Sequence, residues 1–345
     1  LLNFMQGYKV KKQLKKSVSA DVVAQDVASA LAEAQRALLT RKEIEAYRTI
    51  DPRNVRLRRL MDDTLGDDWW RLLWVPASMP SYLAGGAYRD IGPDGVTKRL
   101  VFSSWAVVPR AISVVLSYEA ERRRFRSYEL DPKNTAEDRK KRTPRLQFAY
   151  VNERYTGLPV LCLLYPSIEL ARLGNVRSAA WATGAKGRPE LSAVLEMVKN
   201  RLGPGVSKLI AEHGSDSGAD DERWYWVAPM LLDLERHKVD AHAWFDQKNL
   251  SELWTAKHFD DEDGRGGARW KEHVVVATKL ALNPAELGKP PDDLLELLAE
   301  MAVASPAVCA LRAMARVTKG MPLTSNVNVR TAAGQVGWAF RALFN

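Results

Sequence analysis

Lys98-Arg99-Leu100-Val101-Phe102-Ser103-Ser104-Trp105 is a short apolar run that closes on small polar residues. After it, Val108, Ile112, Val115, Leu116 and Glu119 keep a helical spacing up to the arginine run that starts at Arg122. A nearly continuous apolar strand followed at once by a helix is the pattern of an α/β sheet covered on both faces. A second strand is expected at Val160-Leu161-Cys162-Leu163-Leu164-Tyr165, ended by Pro166-Ser167. The charged stretch 131–145 between them reads as an exposed connection.

Upstream, residues 18–50 read as a helix. Ser19-Ala20-Asp21 offers a capping side chain, and Val22, Val23, Val27, Leu31 and Ala34 hold roughly one face. Asp51-Pro52 ends or interrupts it, because proline lacks the amide hydrogen and restricts the residue before it. A second helical stretch covers 54–73, and the Pro and Gly residues of 76–97 make a loop-rich connection. Beyond 168 helical patterns dominate, at Leu191–Leu202, Trp226–Leu234, Leu294–Met301 and Val308–Val317. The expected fold is mixed α/β and helix-dominated: a helical lead-in and linker over 1–97, a partial α/β unit over 98–170, and a mainly helical module over 171–345.

The chain has 345 residues, 46% of them hydrophobic and 27% charged, which fits neither disorder nor a fibrous repeat. No run approaches the roughly 18 uninterrupted apolar residues of a membrane span. Cys162 and Cys309 are too few for a disulfide framework or a Cys-rich zinc site, so a reducing, cytoplasmic setting is expected. The opening Leu1-Leu2-Asn3-Phe4-Met5 lacks the order of a signal peptide, since Lys9, Lys11 and Lys12 follow it. With no initiating Met, and with an apolar stripe running to Phe344-Asn345, the chain reads as an internal piece of something larger.

Residues 1–145 hold 28 Lys+Arg against 18 Asp+Glu, and the remaining residues hold 23 against 24. All the excess positive charge therefore lies in the first part. Clustered cations attract phosphate backbones by counterion release, without reading sequence. This makes Lys11, Lys12, Lys15, Arg56, Arg58, Arg59, Arg122, Arg123 and Arg124 candidate nucleic-acid contacts. Solvated helix faces are the competing reading, and the arginine run also suits the negative end of a helix dipole. Trp224-Tyr225-Trp226 and Trp244-Phe245 are either base-stacking platforms or core.

The stretches Leu1–Leu14 and Thr97–Arg124, with Ser117-Tyr118-Glu119-Ala120-Glu121-Arg122, resemble the middle of large bacterial superfamily-two helicase-related proteins. These are of the Swi/Snf-like kind, several of which occur in phage-defence systems. The resemblance is carried by residues before 170. It implies that Phe102, Ser103, Ser104 and Trp105 belong to the strand called motif IV, which opens the second RecA-like lobe. Its helix would be about 106–124, followed by a large helical insertion. For the parent protein it implies ATP and magnesium as cofactors, with DNA and the remainder of the helicase-like chain as partners.

The departures from that family concern catalysis. A phosphate-cradling loop ends in Gly-Lys-Ser/Thr, whereas Gly288-Lys289 runs into Pro290-Pro291, and proline removes the amides required. Asp220-Asp221-Glu222-Arg223 and Asp260-Asp261-Glu262-Asp263 follow polar loops where a metal-binding motif would end an apolar strand. No Gln-Arg-x-Gly-Arg segment supplies an arginine finger. His237 and His242 are five apart, off the four-residue spacing of a zinc pair on a helix. No cofactor, metal or catalytic residue is therefore assigned to this chain. The expectation is a non-catalytic internal region of a nucleic-acid-dependent ATPase, contacting DNA or a partner and shaping lobe closure. The alternative is a self-contained adaptor that docks on nucleic acid or an acidic protein through its basic first half. A metal-dependent nuclease using 260–263 is a weaker third.

Overall fold

The computed structural model describes residues 25–26, 29, 33, 40–66, 69–72, 82–83, 99–105, 107–142, 146–177, 188–255, 265–284, 287–317 and 327–341. They fall into two units: described residues up to 72 with 99–142, and residues 82–83 with 146–341. Helices dominate both, and the described residues hold two short strands in one small sheet. The segment 98–170, expected as one α/β unit, is shared between the two.

In the first unit, α1 (Arg41–Glu45) starts at Thr40. The Thr40 hydroxyl accepts from the Glu43 amide while the Glu43 carboxylate accepts from the Thr40 amide, a reciprocal cap. The rest of the expected 18–50 helix lies mostly outside the described residues. What is described of it stops before Pro52, because Tyr47 takes a left-handed φ of 45°. Helix α2 (Val55–Leu65) is capped by Asn54, whose Oδ1 accepts from the Leu57 amide at 3.0 Å. It ends at Gly66, so the expected 54–73 stretch finishes as a separate 3-10 turn, Trp69–Leu72. Helix α3 (Val107–Arg126) and the short α4 (Ala136–Lys141), capped by Thr135, complete the unit. Leu65, Trp70 and Ala120 form its small core, with Leu116 against them.

The buried strand expected at 99–105 is not there. Those residues carry no strand, and Leu100, Phe102 and Trp105 are 81%, 88% and 69% exposed. An apolar run becomes a sheet strand only where a neighbour satisfies its backbone and layers cover both faces. Among the described residues neither stands beside it. Helix α3 follows as expected, but the apolar residues of its first half are half-buried at most, and Val108 and Val114 are exposed.

The second unit opens on a hairpin, β1 (Tyr150–Val151) with β2 (Arg154–Tyr155), in the register Tyr150↔Tyr155. Asn152 and Glu153 supply φ values of 48° and 61°, the left-handed pair that a tight two-residue hairpin turn requires. The second expected strand, Val160–Tyr165, is instead the helix α5 (Leu158–Leu164). Pro159 sits in its first turn, where a missing amide hydrogen costs nothing. Other helices surround α5, so its residues are apolar on every face, and such a run reads equally as buried strand or buried helix.

The remaining helices are α6 (Ile168–Leu173), α7 (Leu191–His213), α8 (Trp224–Arg236), α9 (Lys238–Phe245), α10 (Leu250–Trp254), α11 (Arg265–Leu282), α12 (Leu294–Ala304), α13 (Pro306–Val317) and α14 (Val327–Arg341). One continuous core joins them, as the periodic pattern of the second half implied. At its centre the Asp233 carboxylate is fully buried and accepts from Tyr165 Oη, Ser167 Oγ and the amides of Ile168 and Glu169. Arg330, from α14, donates to the same carboxylate at 2.6 Å and to the Pro166 carbonyl at 3.0 Å. A residue of α8 thus caps the N-terminus of α6, and α14 is tied to both.

Arg312 makes a different junction. Its buried guanidinium donates to the carbonyls of Gly174, Ala302 and Val303, at the C-terminal ends of α6 and α12. The carbonyl ends of two helices, rather than a carboxylate, face this charge. Among the described residues no single helix is long and apolar enough to cross a membrane; α12 and α13 satisfy length and composition only as a pair, bent by 46° at Ser305.

Candidate nucleic-acid interface

The expected contacts divide sharply by what the fold does with them. Lys11, Lys12 and Lys15 lie outside the described residues. In α2, Arg58 makes a two-pronged pair with Asp51 at 2.7 and 3.1 Å, and Arg59 pairs with Asp63 at 2.9 Å. Both pairs are solvent-exposed and remain available for exchange with a phosphate. Arg56, on the same helix, is exposed and makes no ion pair among the described residues. Arg110 in the first turn of α3 is likewise exposed.

The arginine run at the end of α3 is largely turned inward. Glu119 is buried, and its carboxylate accepts from Arg122 at 2.6 and 2.7 Å and from Arg123 at 2.8 Å. Burial pushes the Glu119 carboxyl up, but the two guanidinium groups outweigh it and hold it below the usual carboxylate range. Arg123 also donates to the Leu65 carbonyl, joining α3 to α2, and Arg126 donates to the Tyr47 carbonyl at 3.3 Å. Arg124 lies over the Phe125 ring at 5.9 Å. The spacing of Glu119 to Arg122 and Arg123, three and four residues, carries this arrangement in the sequence.

Sequence reasoning missed Tyr47. It is buried, its hydroxyl donates to Glu121 at 2.8 Å, and its ring packs on Tyr118 and Phe125 at 5.8 Å. Burial, then the Glu121 carboxylate, pushes its phenol well above the ordinary tyrosine range. Arg142 stacks 3.7 Å over the Phe125 ring and pairs with Glu129. No motif marks Tyr47, because the signal is a backbone φ rather than a pattern of side chains.

The motif IV-like residues stand in the open. Phe102 and Trp105 are exposed, and the Ser103 hydroxyl accepts from the Trp105 amide at 3.1 Å, a local turn leading into α3. These exposed apolar side chains, next to the incompletely covered α3, make an apolar patch on the first unit.

The second unit does not fit a nucleotide where the sequence has its Gly-Lys. The Gly288 amide donates to Asp221 at 2.8 Å, and Lys289 pairs with Asp220 at 2.8 Å, so amide and cation are both engaged internally. Asp221 is held further by Arg223, which leaves Asp220-Asp221-Glu222 as a braced loop. The acidic stretch 260–263 lies outside the described residues. His237 bonds to Glu169 at 2.9 Å; burial raises the Glu169 carboxyl, but Arg172 and His237 outweigh it and hold it at about 2. Trp224, Trp226, Trp244 and Phe245 are buried as core side chains, while Tyr225 is half-buried with its hydroxyl donating to Asp293. Comparison of the chain with known family models, curated proteins and solved structures gives no match.

Proposed function

We propose that this chain is a non-catalytic, nucleic-acid-contacting region of a larger nucleic-acid-dependent ATPase of the helicase-like kind. The observation that carries the reading is the basic excess of residues 1–145, which supports contact with a phosphate backbone; Arg56 and Arg110 are among its exposed described cations. The exposed apolar run Leu100–Trp105 is not a strand, and in this reading it would become one only with further strands and helices of the parent laid against it. ATP and magnesium belong, in this reading, to the parent and not to this chain, whose Gly288-Lys289 is already committed to Asp221 and Asp220.

The second reading, a self-contained adaptor docking on nucleic acid or an acidic protein, is favoured by the conformation of 99–105, which is not the sheet strand that the first reading requires. Both readings place the chain on nucleic acid through its first unit, so that step is tested first. Fluorescence anisotropy with labelled duplex and single-stranded DNA over a salt series should show a steep salt dependence. An Arg56→Gln/Arg110→Gln variant should lower the slope of log K against log salt by about one for each phosphate no longer neutralised. An unchanged slope removes this surface from the reading. ATP hydrolysis by the chain alone would overturn its non-catalytic role. The two readings separate on Phe102→Asp. It should abolish association with the remainder of the helicase-like chain if the ribbon is a lobe strand, and leave DNA binding intact.

A further inference from the structure

The second unit contains a cleft of about 1250 Å3 that neither the nucleic-acid reading nor the buried network uses. Three walls form it: the end of the hairpin with the start of α5, the braced loop leading into α8, and the C-terminal half of α11. Leu158, Val276 and Leu280 give it an apolar floor. Arg154 on the hairpin and Lys279 on α11 stand at its edge, both exposed and neither in an ion pair among the described residues. On the facing loop, Glu222 is exposed, while Asp221 and Asp220 are bound to Arg223 and Lys289.

The size and the lining restrict the occupant. Small-molecule sites run to roughly 300–1,000 Å3, so an open cleft of this volume suits an extended ligand. A nucleic-acid strand would bring phosphates toward Glu222 and would look for a free aromatic face. Trp226 is buried, however, and Tyr155 is packed on Tyr150 and His273. An apolar floor with cations on two walls and, on the third, Glu222 beside the paired Asp220, Asp221 and Arg223 is complementary to a polypeptide. We propose that this cleft docks an extended peptide segment that seats apolar side chains on Leu158 and Leu280, places an acidic side chain between Arg154 and Lys279, and presents a basic one to Glu222.

The geometry rests on a fixed frame. The hairpin is anchored where the Gly157 amide donates to the buried His273 Nε2 at 3.2 Å. A Cβ at Gly157 would meet Phe148 at 2.6 Å, so only glycine fits where the chain enters α5 against that ring. The loop of the third wall is fixed by the Trp224 indole, which donates to the Gly288 carbonyl at 2.9 Å, and by Asp221. The cleft walls are therefore set before any ligand arrives, which lowers the ordering cost of binding.

The test is a random peptide library displayed on phage and selected against the full chain, with an Arg154→Glu/Lys279→Glu variant as the counter-target. Both positions are exposed, and circular dichroism checks that the variant folds. Enriched peptides should carry an acidic residue beside an apolar pair. As synthetic peptides they should fall about tenfold or more in affinity on the charge-reversed variant. Glu222→Lys should weaken them in the same direction when they carry the basic residue. An Arg56→Gln variant in the first unit should leave them unchanged. Failure to enrich any peptide that discriminates the two targets would overturn the proposal. So would binding of oligo(dT) that disappears in the Arg154→Glu/Lys279→Glu variant, which would assign the cleft to nucleic acid.

Discussion

Asp233 and Arg330 stand 97 residues apart in sequence and 2.6 Å apart in the fold, both almost wholly removed from solvent. The pair fixes α8, α14 and the start of α6 in one arrangement. It carries further bonds to Tyr165, Ser167 and Pro166, so the carboxylate and the guanidinium are each satisfied several times over. A buried ion pair contributes little when compared with a well-packed apolar replacement, but breaking it from one side strands a charge.

Arg330→Leu should therefore destabilise the second unit by about 3–5 kcal/mol, because the Asp233 carboxylate stays behind without its cation. Asp233→Asn has a single acceptor oxygen: kept toward Ser167 and the Glu169 amide, it turns its NH2 on the Ile168 amide and on Arg330, and should cost at least as much. Chemical denaturation of the two variants, read at Trp fluorescence, checks both. A negligible loss in either would show that the pair does not hold this junction.

A Cβ on Gly334 would come within 2.6 Å of Trp254 Cδ1 and 2.9 Å of its Nε1. Trp254 cannot yield easily, because its indole donates to the Leu164 carbonyl at 2.8 Å and is ringed by Trp244 and Trp270. Gly334→Ala should lower stability by about 1–3 kcal/mol despite improving helix propensity in α14. Gly203, in α7, has nothing within 4 Å of an added Cβ, and Gly203→Ala should be neutral or stabilising. Thermal melts of the two variants provide the comparison.

His273 is buried with Nδ1 bonded to the Arg269 carbonyl at 2.7 Å and Nε2 facing the Gly157 amide. A carbonyl accepts and an amide donates, so the neutral imidazole with its hydrogen on Nδ1 fits both partners. Burial pulls its pKa below the ordinary histidine value. The unfolded chain binds this proton near pH 6.5 and the folded one only at lower pH. The stabilisation is thus complete above pH 6.5 and falls as the pH drops through the lowered folded value. Melting temperature should fall between pH 7 and pH 5, and His273→Gln should flatten that part of the profile. A profile identical to the wild type would remove His273 as the cause.

The sequence made the helical second half legible because Leu191, Val194, Val198 and Leu202 repeat at helical spacing and are half-buried or buried where that spacing put them. It misread Val160–Tyr165 because a helix surrounded on all sides has no polar face to reveal its period. It misread 99–105 for another reason. An apolar run says that side chains seek cover, not whether the cover lies beside them. The Arg122–Arg124 run was visible as charge and Glu119 as its neighbour at helical spacing, but the burial that commits Glu119 to Arg122 and Arg123 was not. Formal charge counts a paired arginine and a free one alike. Arg154 and Lys279 carried no signal, since isolated cations become a site only when the fold brings distant segments to one cleft.

The turn at Ser305 has a consequence for how the polypeptide is handled before it is folded. Straightened, residues 294–317 would form a rod of bilayer-spanning length, interrupted by the charges of Glu296, Glu300, Arg312 and Arg316. In the native fold the Ser305 hydroxyl donates to the Leu163 carbonyl at 2.8 Å, and Arg312 closes over the carbonyls that the break releases. One of the charges that make insertion into lipid unfavourable is thus also the splint that sets the bend.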